Sequence, residues 1–196
     1  MIVAGSARVF AAKGFRAASV EDLLEAAKVS RRTFYRLFDN KEDVALALYK
    51  FGTSNLLERW KRAIASTEDP LEQFVRCIDV FLDNAATVGR LVFVLGGEAS
   101  RQESPLHTRR MEVHDRLVEM LRAAHPDTAR LDPLLVRTTI LALEAVTRYV
   151  VTEGDEGRKI NKQTVERARQ VIVRLVTAGF AGSGEGVAPL PLLPEP

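Results

Sequence analysis

Apolar residues recur every three or four positions along most of the chain, which is the spacing of amphipathic α-helices. Residues that typically cap or open helices separate these segments, among them Ser19, Ser30, Asn40 and Asp69-Pro70. The pattern predicts nine helices, expected at about 2–13, 20–27, 31–37 and 40–65, from Pro70, over 88–98, from Ser104-Pro105, from Asp132-Pro133 to Val151, and after a loop at 154–157.

The segment from residue 88 to 98 fits two structures. Leu91 to Leu95 form an unbroken apolar run that suits either a β-strand or a short buried helix. Because the neighbouring segments all have helical spacing, a helix is favoured and the expected fold is all-α. The helix expected to begin at Asp132-Pro133 is apolar on nearly every side, which predicts burial.

The segment from Ser19 to Lys41 has the pattern of two short helices joined by a tight turn. Ser19 with Asp22 approximates a capping box for the first helix, and Ser30 caps the second. Lys28-Val29 is expected to form the turn. This order of cap, helix, turn, cap and helix predicts a helix-turn-helix.

The second of these helices has one apolar and one cationic side. Phe34, Leu37 and Phe38 fall at i, i+3 and i+4 and are expected to face the core. The opposite side presents the residues Arg32, Thr33 and Arg36, with Tyr35 on the flank. Such a helix is either an ordinary solvated surface helix or a helix that contacts nucleic acid. Basic groups, a hydroxyl and a phenol together suit phosphate and base-edge contacts, so nucleic-acid binding is favoured.

The distribution of charge agrees with that interpretation. The net charge is +2, but residues 1–50 contain 9 Lys and Arg against 6 Asp and Glu, while the remainder is slightly negative. The positive excess is modest, so one copy is expected to bind DNA weakly, and two copies reading half-sites of a palindromic operator are expected. The helices beginning at Asp132-Pro133 and following 154–157, numbered 8 and 9, supply the expected homodimer interface, unless they only close the core of the monomer.

The N-terminal quarter resembles the DNA-binding domain of the tetracycline-repressor (TetR) family of bacterial transcriptional regulators. The matching residues include Phe10, Gly14-Phe15, Ser19-Val20, Ala27, Val29-Ser30, Thr33-Phe34-Tyr35, Phe38 and Asn40-Lys41-Glu42. Lys28 stands where the family usually has glycine, so either it adopts the conformation of that glycine or the turn differs slightly. The resemblance implies phosphate contacts by Ser19, Tyr35 and Lys41. It also implies that Arg31, Arg32, Thr33 and Arg36 face the major groove, although Arg31 lies nearer the core side and is an alternative backbone contact. The complete set of candidate DNA-binding residues is Ser19, Ser30, Arg31, Arg32, Thr33, Tyr35, Arg36 and Lys41.

The resemblance also implies a division of the chain into three parts. Residues 1–48 are expected to form a three-helix DNA-binding domain, and residues 49–181 a larger helical domain that binds an effector and dimerises. Residues 182–196, with the sequence GSGEGVAPLPLLPEP, are expected to form a flexible tail.

The middle of the chain contains candidates for a small-molecule site. Large aromatic groups among helices 4 to 8 suit either a cavity wall or an ordinary core, and a few polar residues occur among them. Glu144 and Arg148 are four residues apart, so a salt bridge between them is the simplest alternative. The candidate ligand-binding residues are Trp60, Phe74, Phe81, Phe93, His114, Glu144 and Arg148.

The expected function is a sequence-specific transcriptional regulator, and in this family most often a repressor, which a small apolar or amphipathic effector releases from its operator. A DNA-binding regulator without a small-molecule effector, controlled by abundance or by a protein partner, is the alternative. An enzyme is not expected, because the sequence has no nucleophile–base pair, phosphate-binding glycine loop or metal-ligand spacing, and no cofactor is implied. A cytoplasmic location is expected, since no apolar run approaches the ~20 residues of a membrane span.

Overall fold

A computed structural model of the chain describes residues 2–124, 132–153 and 162–181. Within these ranges the chain is helical and contains no strand. The helices are α1 (Ile2–Lys13), α2 (Val20–Ala27), α3 (Arg31–Tyr35), α4 (Lys41–Ala65), α5 (Pro70–Val88), α6 (Arg90–Ala99), α7 (His107–Ala124), α8 (Pro133–Glu153) and α9 (Lys162–Ala181). The predicted all-α fold is therefore confirmed, and the loop predicted at 154–157 and the tail at 182–196 lie outside the described residues.

The predicted caps start the helices of the N-terminal region. The hydroxyl of Ser19 accepts a hydrogen bond from the amide of Asp22 at 3.2 Å, and the Asp22 carboxylate accepts one from the amide of Ser19 at 2.9 Å. Ser30 and Asn40 cap α3 and α4 in the same way through the third residue on. These bonds satisfy amide groups that a helix leaves unpaired at its N-terminus. These bonds explain why the capping residues alone predict where the three helices begin.

Two helix boundaries differ from the prediction. Helix α3 ends at Tyr35 rather than near residue 37, and the side chain of Leu37 is 58% exposed. The prediction that Leu37 faces the core is wrong, because helical spacing no longer applies once the chain leaves the helix. Helix α7 begins at His107, after the predicted Ser104-Pro105 start, since residues 101–106 form turns.

The turn between α2 and α3 has the backbone conformation expected from its sequence position. Lys28 has a φ of 53° and a ψ of 47°, the left-handed region that favours glycine. Its amide bonds to carbonyl groups at the end of α2 and thereby terminates that helix. The helix-turn-helix is thus formed with a lysine in the strained position.

Two hydrophobic cores organise the described residues. The N-terminal core contains residues of α1 to α3 and the beginning of α4, and also Leu95 and Ala99 of α6 and Leu106. The C-terminal core contains residues from the second half of α4 and from α5, α7, α8 and α9. Helix α4 connects the cores, with Val44 and Ala45 in the first and Leu56, Leu57 and Trp60 in the second. At 25 residues this helix is about 37 Å long.

The boundary predicted at residue 48 falls within α4, which continues without interruption. Moreover, α6 belongs to the N-terminal core although it lies far along the chain. This packing joins the helix-turn-helix to the larger region through two helices rather than one. The three-part division of the chain stays a prediction.

The short helix favoured over a strand at 88–98 is found as α6, which runs from Arg90 to Ala99, while Val88 ends α5. Leu95 and Ala99 of this helix are buried, and the other apolar side chains of the run from Leu91 are only partly buried. No helix in the described parts of the chain is long and apolar enough to cross a membrane.

Candidate functional sites

The outer side of α3 presents a cationic surface to solvent. Arg32, Tyr35 and Arg36 are exposed, and the structure records no ion pair between these arginines and any other described residue. Phe34 is fully buried beneath them and fixes the orientation of the helix. The predicted division of α3 into an apolar and a cationic side is therefore found, apart from Leu37.

Both candidate serines cap helices through their hydroxyl groups. Ser30 Oγ accepts from the amide of Thr33 at 3.2 Å and is 2.9 Å from Thr33 Oγ1. Ser19 Oγ is the corresponding cap of α2. Both serines are exposed to solvent. A capping hydroxyl has capacity for a second partner.

Arg31 forms an ion pair across the helix-turn-helix. Its guanidinium group contacts the carboxylate of Glu21 in the first turn of α2, and both side chains are 61% exposed. The pair joins the two helices on their solvent side. In this arrangement the charge of Arg31 is directed to Glu21 rather than outward.

Lys41 has a structural role that the sequence did not reveal. Its ammonium group donates to the carbonyl oxygens of Phe15, Arg16 and Ala18 at 3.1, 3.1 and 2.8 Å and lies 5.0 Å from the centre of the Phe15 ring. An ammonium group has three protons, and all three have partners here. This arrangement differs from the phosphate contact that the resemblance implied for Lys41.

A cavity of about 140 Å³ lies between the two cores. Its wall is largely apolar and is formed by five helices, α4 to α8. Leu48, Leu91 and Leu95 pack in the N-terminal core and also line the cavity. Leu56 and Val113 line it from the C-terminal core. A molecule in this cavity would touch both cores at once.

Two glycines on different helices leave space along this wall. Gly52 of α4 and Gly96 of α6 both line the cavity, and a Cβ atom at either position would meet no atom within 4 Å. Gly97, which follows on α6, also has open space at its Cβ position but does not line the cavity. The first two glycines therefore enlarge the cavity.

A charged cluster forms the polar part of the cavity wall. Glu144 on α8 accepts hydrogen bonds from Arg110 at 2.5 Å and from the ring of His114 at 2.9 Å, both on α7. Burial alone would raise the pKa of the Glu144 carboxyl group, but the bonds from His114 and Arg110 outweigh it and lower that pKa. Glu144 is therefore ionised at neutral pH, and the cluster holds α7 against α8.

Tyr49 brings a phenol close to this cluster. Burial, and to a smaller extent the charge of Glu144, raises the pKa of Tyr49 well above its usual range. The phenol stays protonated at neutral pH and offers a hydrogen-bond donor in the cavity wall.

The structure brings together four of the seven predicted ligand-binding residues. Phe81, His114, Glu144 and Arg148 line the cavity. The prediction for the three other aromatic residues is corrected. Trp60 and Phe74 are buried in the C-terminal core and Phe93 is partly buried, and none of the three lines the cavity.

Arg110 was missed from the sequence, although it is four residues before His114 on the same side of α7. In the sequence, the spacing of Glu144 and Arg148 indicates an ion pair within one helix and gives no sign of a partner on another helix. The partners found for Glu144 lie 34 and 30 residues away. Only the tertiary fold brings them together.

Comparisons with known proteins agree with these features. Residues 2–48 match the family model described as bacterial regulatory proteins, tetR family. A search of curated protein sequences finds no match. Solved structures share the fold over most of both chains.

The fatty acid degradation regulator FadR from Bacillus halodurans is 22% identical, with a TM-score of 0.71 over 88% of this chain and 96% of that one. FadR from Bacillus subtilis, solved in complex with stearoyl-CoA, is 19% identical, with a TM-score of 0.75 over 91% and 97%. The regulator PfmR from Thermus thermophilus is 20% identical, with a TM-score of 0.69 over 89% and 96%.

The capped helix-turn-helix with its cationic α3 defines a DNA-binding transcriptional regulator. The match of residues 2–48 to the tetR family model confirms the resemblance that the N-terminal residues predicted, and the chain shares its fold with TetR-family regulators.

Proposed function

We propose that this protein is a homodimeric repressor that an apolar or amphipathic small molecule releases from a palindromic operator. The observation that carries the proposal is the position of the cavity, whose wall is shared by the two cores. A ligand that fits one arrangement of these cores better than another shifts the equilibrium between them.

In the proposed complex, α3 lies in the major groove. Arg32 and Arg36 contact base edges or phosphates, with Arg32 as the bidentate partner of a guanine, and Tyr35 contacts a phosphate. Thr33 faces the groove, and Ser19 and Ser30 at the helix N-termini contact the backbone. Lys41 acts indirectly, by holding the loop before α2 against the start of α4.

The proposed dimer forms through α8 and α9, which pack against each other within one chain. Their outer sides expose large apolar side chains, which supports a partner surface there. On α8 these include Leu134 and Leu141, 59% and 43% exposed, and on α9 Val171 and Leu175, 46% and 59% exposed. Two such helix pairs would form a four-helix bundle and set the distance between the two α3 helices.

The proposed release acts through α4 and α6. Both helices line the cavity and both contribute to the N-terminal core. Both also reach the loop between α1 and α2. Lys41 binds three carbonyls of that loop, and Glu98 of α6 is 3.4 Å from Arg16 within it. A ligand that moves either helix would therefore move the helix-turn-helix, and a coupling of about 1–3 kcal/mol would lower DNA affinity roughly 5- to 150-fold.

The cavity supports an effector with an apolar body and a polar group. Its wall is mostly apolar, with hydrogen-bonding side chains such as Tyr49, Glu144 and Arg148. The structurally similar Bacillus subtilis FadR was solved with stearoyl-CoA, so alkyl and acyl compounds are the first effectors to test.

The test uses the full-length protein and an operator selected from random DNA. Fluorescence anisotropy of the complex is measured while alkyl alcohols, fatty acids and acyl-CoA compounds are added. Release by a compound that also raises the melting temperature of the free protein would support the proposal. Operator binding that no compound alters, with no thermal shift, would reject the effector and leave the alternative of a regulator controlled by abundance or a protein partner.

A further inference from the structure

Thr147 of α8 presents a buried hydroxyl group that the fold does not use. The residue is 1% exposed, and its Oγ1 atom has no hydrogen-bond partner among the described residues. Burying a hydroxyl group without a partner is unfavourable, because the bonds it makes to water in the unfolded chain are lost. A valine of nearly the same shape would avoid this cost. The hydroxyl therefore has capacity for a hydrogen-bond partner that the described residues do not supply.

The position of Thr147 distinguishes it from other buried polar atoms. Trp60 Nε1 and Ser6 Oγ are also buried without a partner, but neither residue lines the cavity. Thr147 does line it, together with Ile140, Glu144 and Arg148 on the same side of α8. A residue of the cavity wall thus carries a buried hydroxyl group that has no partner among the described residues.

The neighbouring charged cluster is already satisfied. Both carboxylate oxygens of Glu144 accept hydrogen bonds, one from His114 and the other from Arg110. The cluster provides a fixed polar environment one turn of α8 away from Thr147, while most of the remaining wall is apolar. A ligand would therefore place its polar group at this end and its apolar body along the leucine and valine side chains.

We propose that Thr147 binds an oxygen atom of the effector, which is an apolar molecule carrying a single hydrogen-bond-accepting group. Alcohols, carbonyl compounds and carboxylates share this chemistry. The hydroxyl of Thr147 donates to that oxygen, and Arg148 lines the same cavity. This inference rests on the proposed function, since it assigns a subsite within the effector cavity.

The test compares three probes of equal chain length with three forms of the full-length protein. The probes are octanol, octanoate and octane, and the proteins are the wild type, Thr147→Val and Thr147→Ser. Affinities are measured by isothermal titration calorimetry and melting temperatures by differential scanning calorimetry. A single cooperative melting transition of each free protein serves as the control for folding.

We expect Thr147→Val to stabilise the free protein and to weaken its binding of oxygen-containing ligands. Thr147→Val raises the melting temperature of the free protein, because it removes the unpaired hydroxyl. It weakens the binding of octanol or octanoate about three- to tenfold and leaves octane binding unchanged. Thr147→Ser keeps the affinity of the wild type. The probe that loses affinity identifies whether the oxygen belongs to a neutral or an anionic group.

Equal affinity of the wild type and Thr147→Val for both oxygen-containing probes would overturn the inference. Equal binding of octane, octanol and octanoate by the wild type would also overturn the inference. The proposal that the cavity binds an effector would still be supported. Wild-type protein that binds none of the three would reject the inference, and with the absence of any releasing compound it would reject the proposed function as well.

Discussion

Arg31, the first residue of α3, forms an ion pair with Glu21 in the first turn of α2. The pair lies on the solvent side of the helix-turn-helix, next to the surface proposed to contact DNA. Glu21 therefore neutralises one of the cations that the sequence assigned to the major groove. It acts against binding unless Arg31 leaves it.

Replacing Glu21 by glutamine should strengthen DNA binding. The substitution keeps the size of the side chain and removes its charge, so Arg31 becomes available to a phosphate or a base. We expect tighter binding to all DNA sequences and a steeper dependence of log K on log salt, by about one unit of slope. Salt titrations by fluorescence anisotropy would measure both. Glu21→Gln combined with Arg31→Ala should lose the gain, and a gain that persists in the double variant would contradict the explanation.

Replacing Lys41 by methionine should lower stability rather than remove a phosphate contact. Three carbonyl oxygens before α2 lose their donor, so the melting temperature should fall. The slope of log K against log salt should stay near the wild-type value. Arg36→Met is the matched control, for which we expect an unchanged melting temperature and a slope reduced by about one unit. A reduced slope with normal stability in Lys41→Met would instead support the predicted phosphate contact of Lys41.

The neighbouring glycines of α6 offer a matched pair for testing the cavity. Alanine at either Gly96 or Gly97 should stabilise the helix by about 0.5–1 kcal/mol, since both positions have room for a Cβ atom. Only Gly96 lines the cavity, so only Gly96→Ala should weaken effector binding. Gly96→Leu should weaken it about tenfold or more. Calorimetry with any compound that releases the operator would measure this, and equal losses for both alanine variants would argue against a site at this wall.

The capping box of α2 should make the free energy of unfolding depend on pH. Hydrogen bonds from Lys13 and then from Ser19 lower the pKa of Asp22 from 3.8 to about 2. Because the pKa is lower in the folded state, the contribution of Asp22 is complete above pH 3.8 and is lost as the pH falls toward 2.

Urea denaturation of the wild type and of Asp22→Asn across this range would measure the effect. The stability difference between them should shrink as the pH is lowered. A difference that stays constant would show that the Asp22 carboxylate has no special role in the folded state.

Charged residues on α8 and α9 should separate the proposed dimer. Leu141→Glu and Leu175→Glu place carboxylates among exposed apolar side chains, and burying them in an interface is unfavourable. Sedimentation should show monomers at micromolar concentration, with a loss of operator affinity. Leu71→Glu, at an exposed leucine of α5, should remain dimeric. A dimer that survives both substitutions would place the interface elsewhere.

The sequence predicted those parts of the fold that depend on near neighbours. Ser19, Ser30, Asn40 and Asp69 each bond to amides two or three residues away, so their spacing alone identifies the helix starts. Leu37 was misplaced because α3 ends two residues before it. Local spacing gives no sign of such an early end.

Tertiary contacts account for what the sequence did not predict at the sites. The three carbonyl partners of Lys41 are 23 to 26 residues away along the chain. Arg110 on α7 binds Glu144 on α8. Trp60 and Phe81 are both large aromatic residues at helical spacing, but only Phe81 lines the cavity. The difference depends on how α4 and α5 are rotated in the assembled fold.

The position of Leu95, shared by the N-terminal core and the cavity, affects how this protein could be adapted as a biosensor. Altering specificity at residues of α5 or α7, such as Asn84 or Leu117, leaves the packing of the helix-turn-helix untouched. A substitution at Leu95 would instead change operator affinity even without effector, because Leu95 also packs in the core of the helix-turn-helix. For the proposed repressor, libraries that retain Leu95 and vary α5 and α7 would therefore keep reporter output low in the absence of effector.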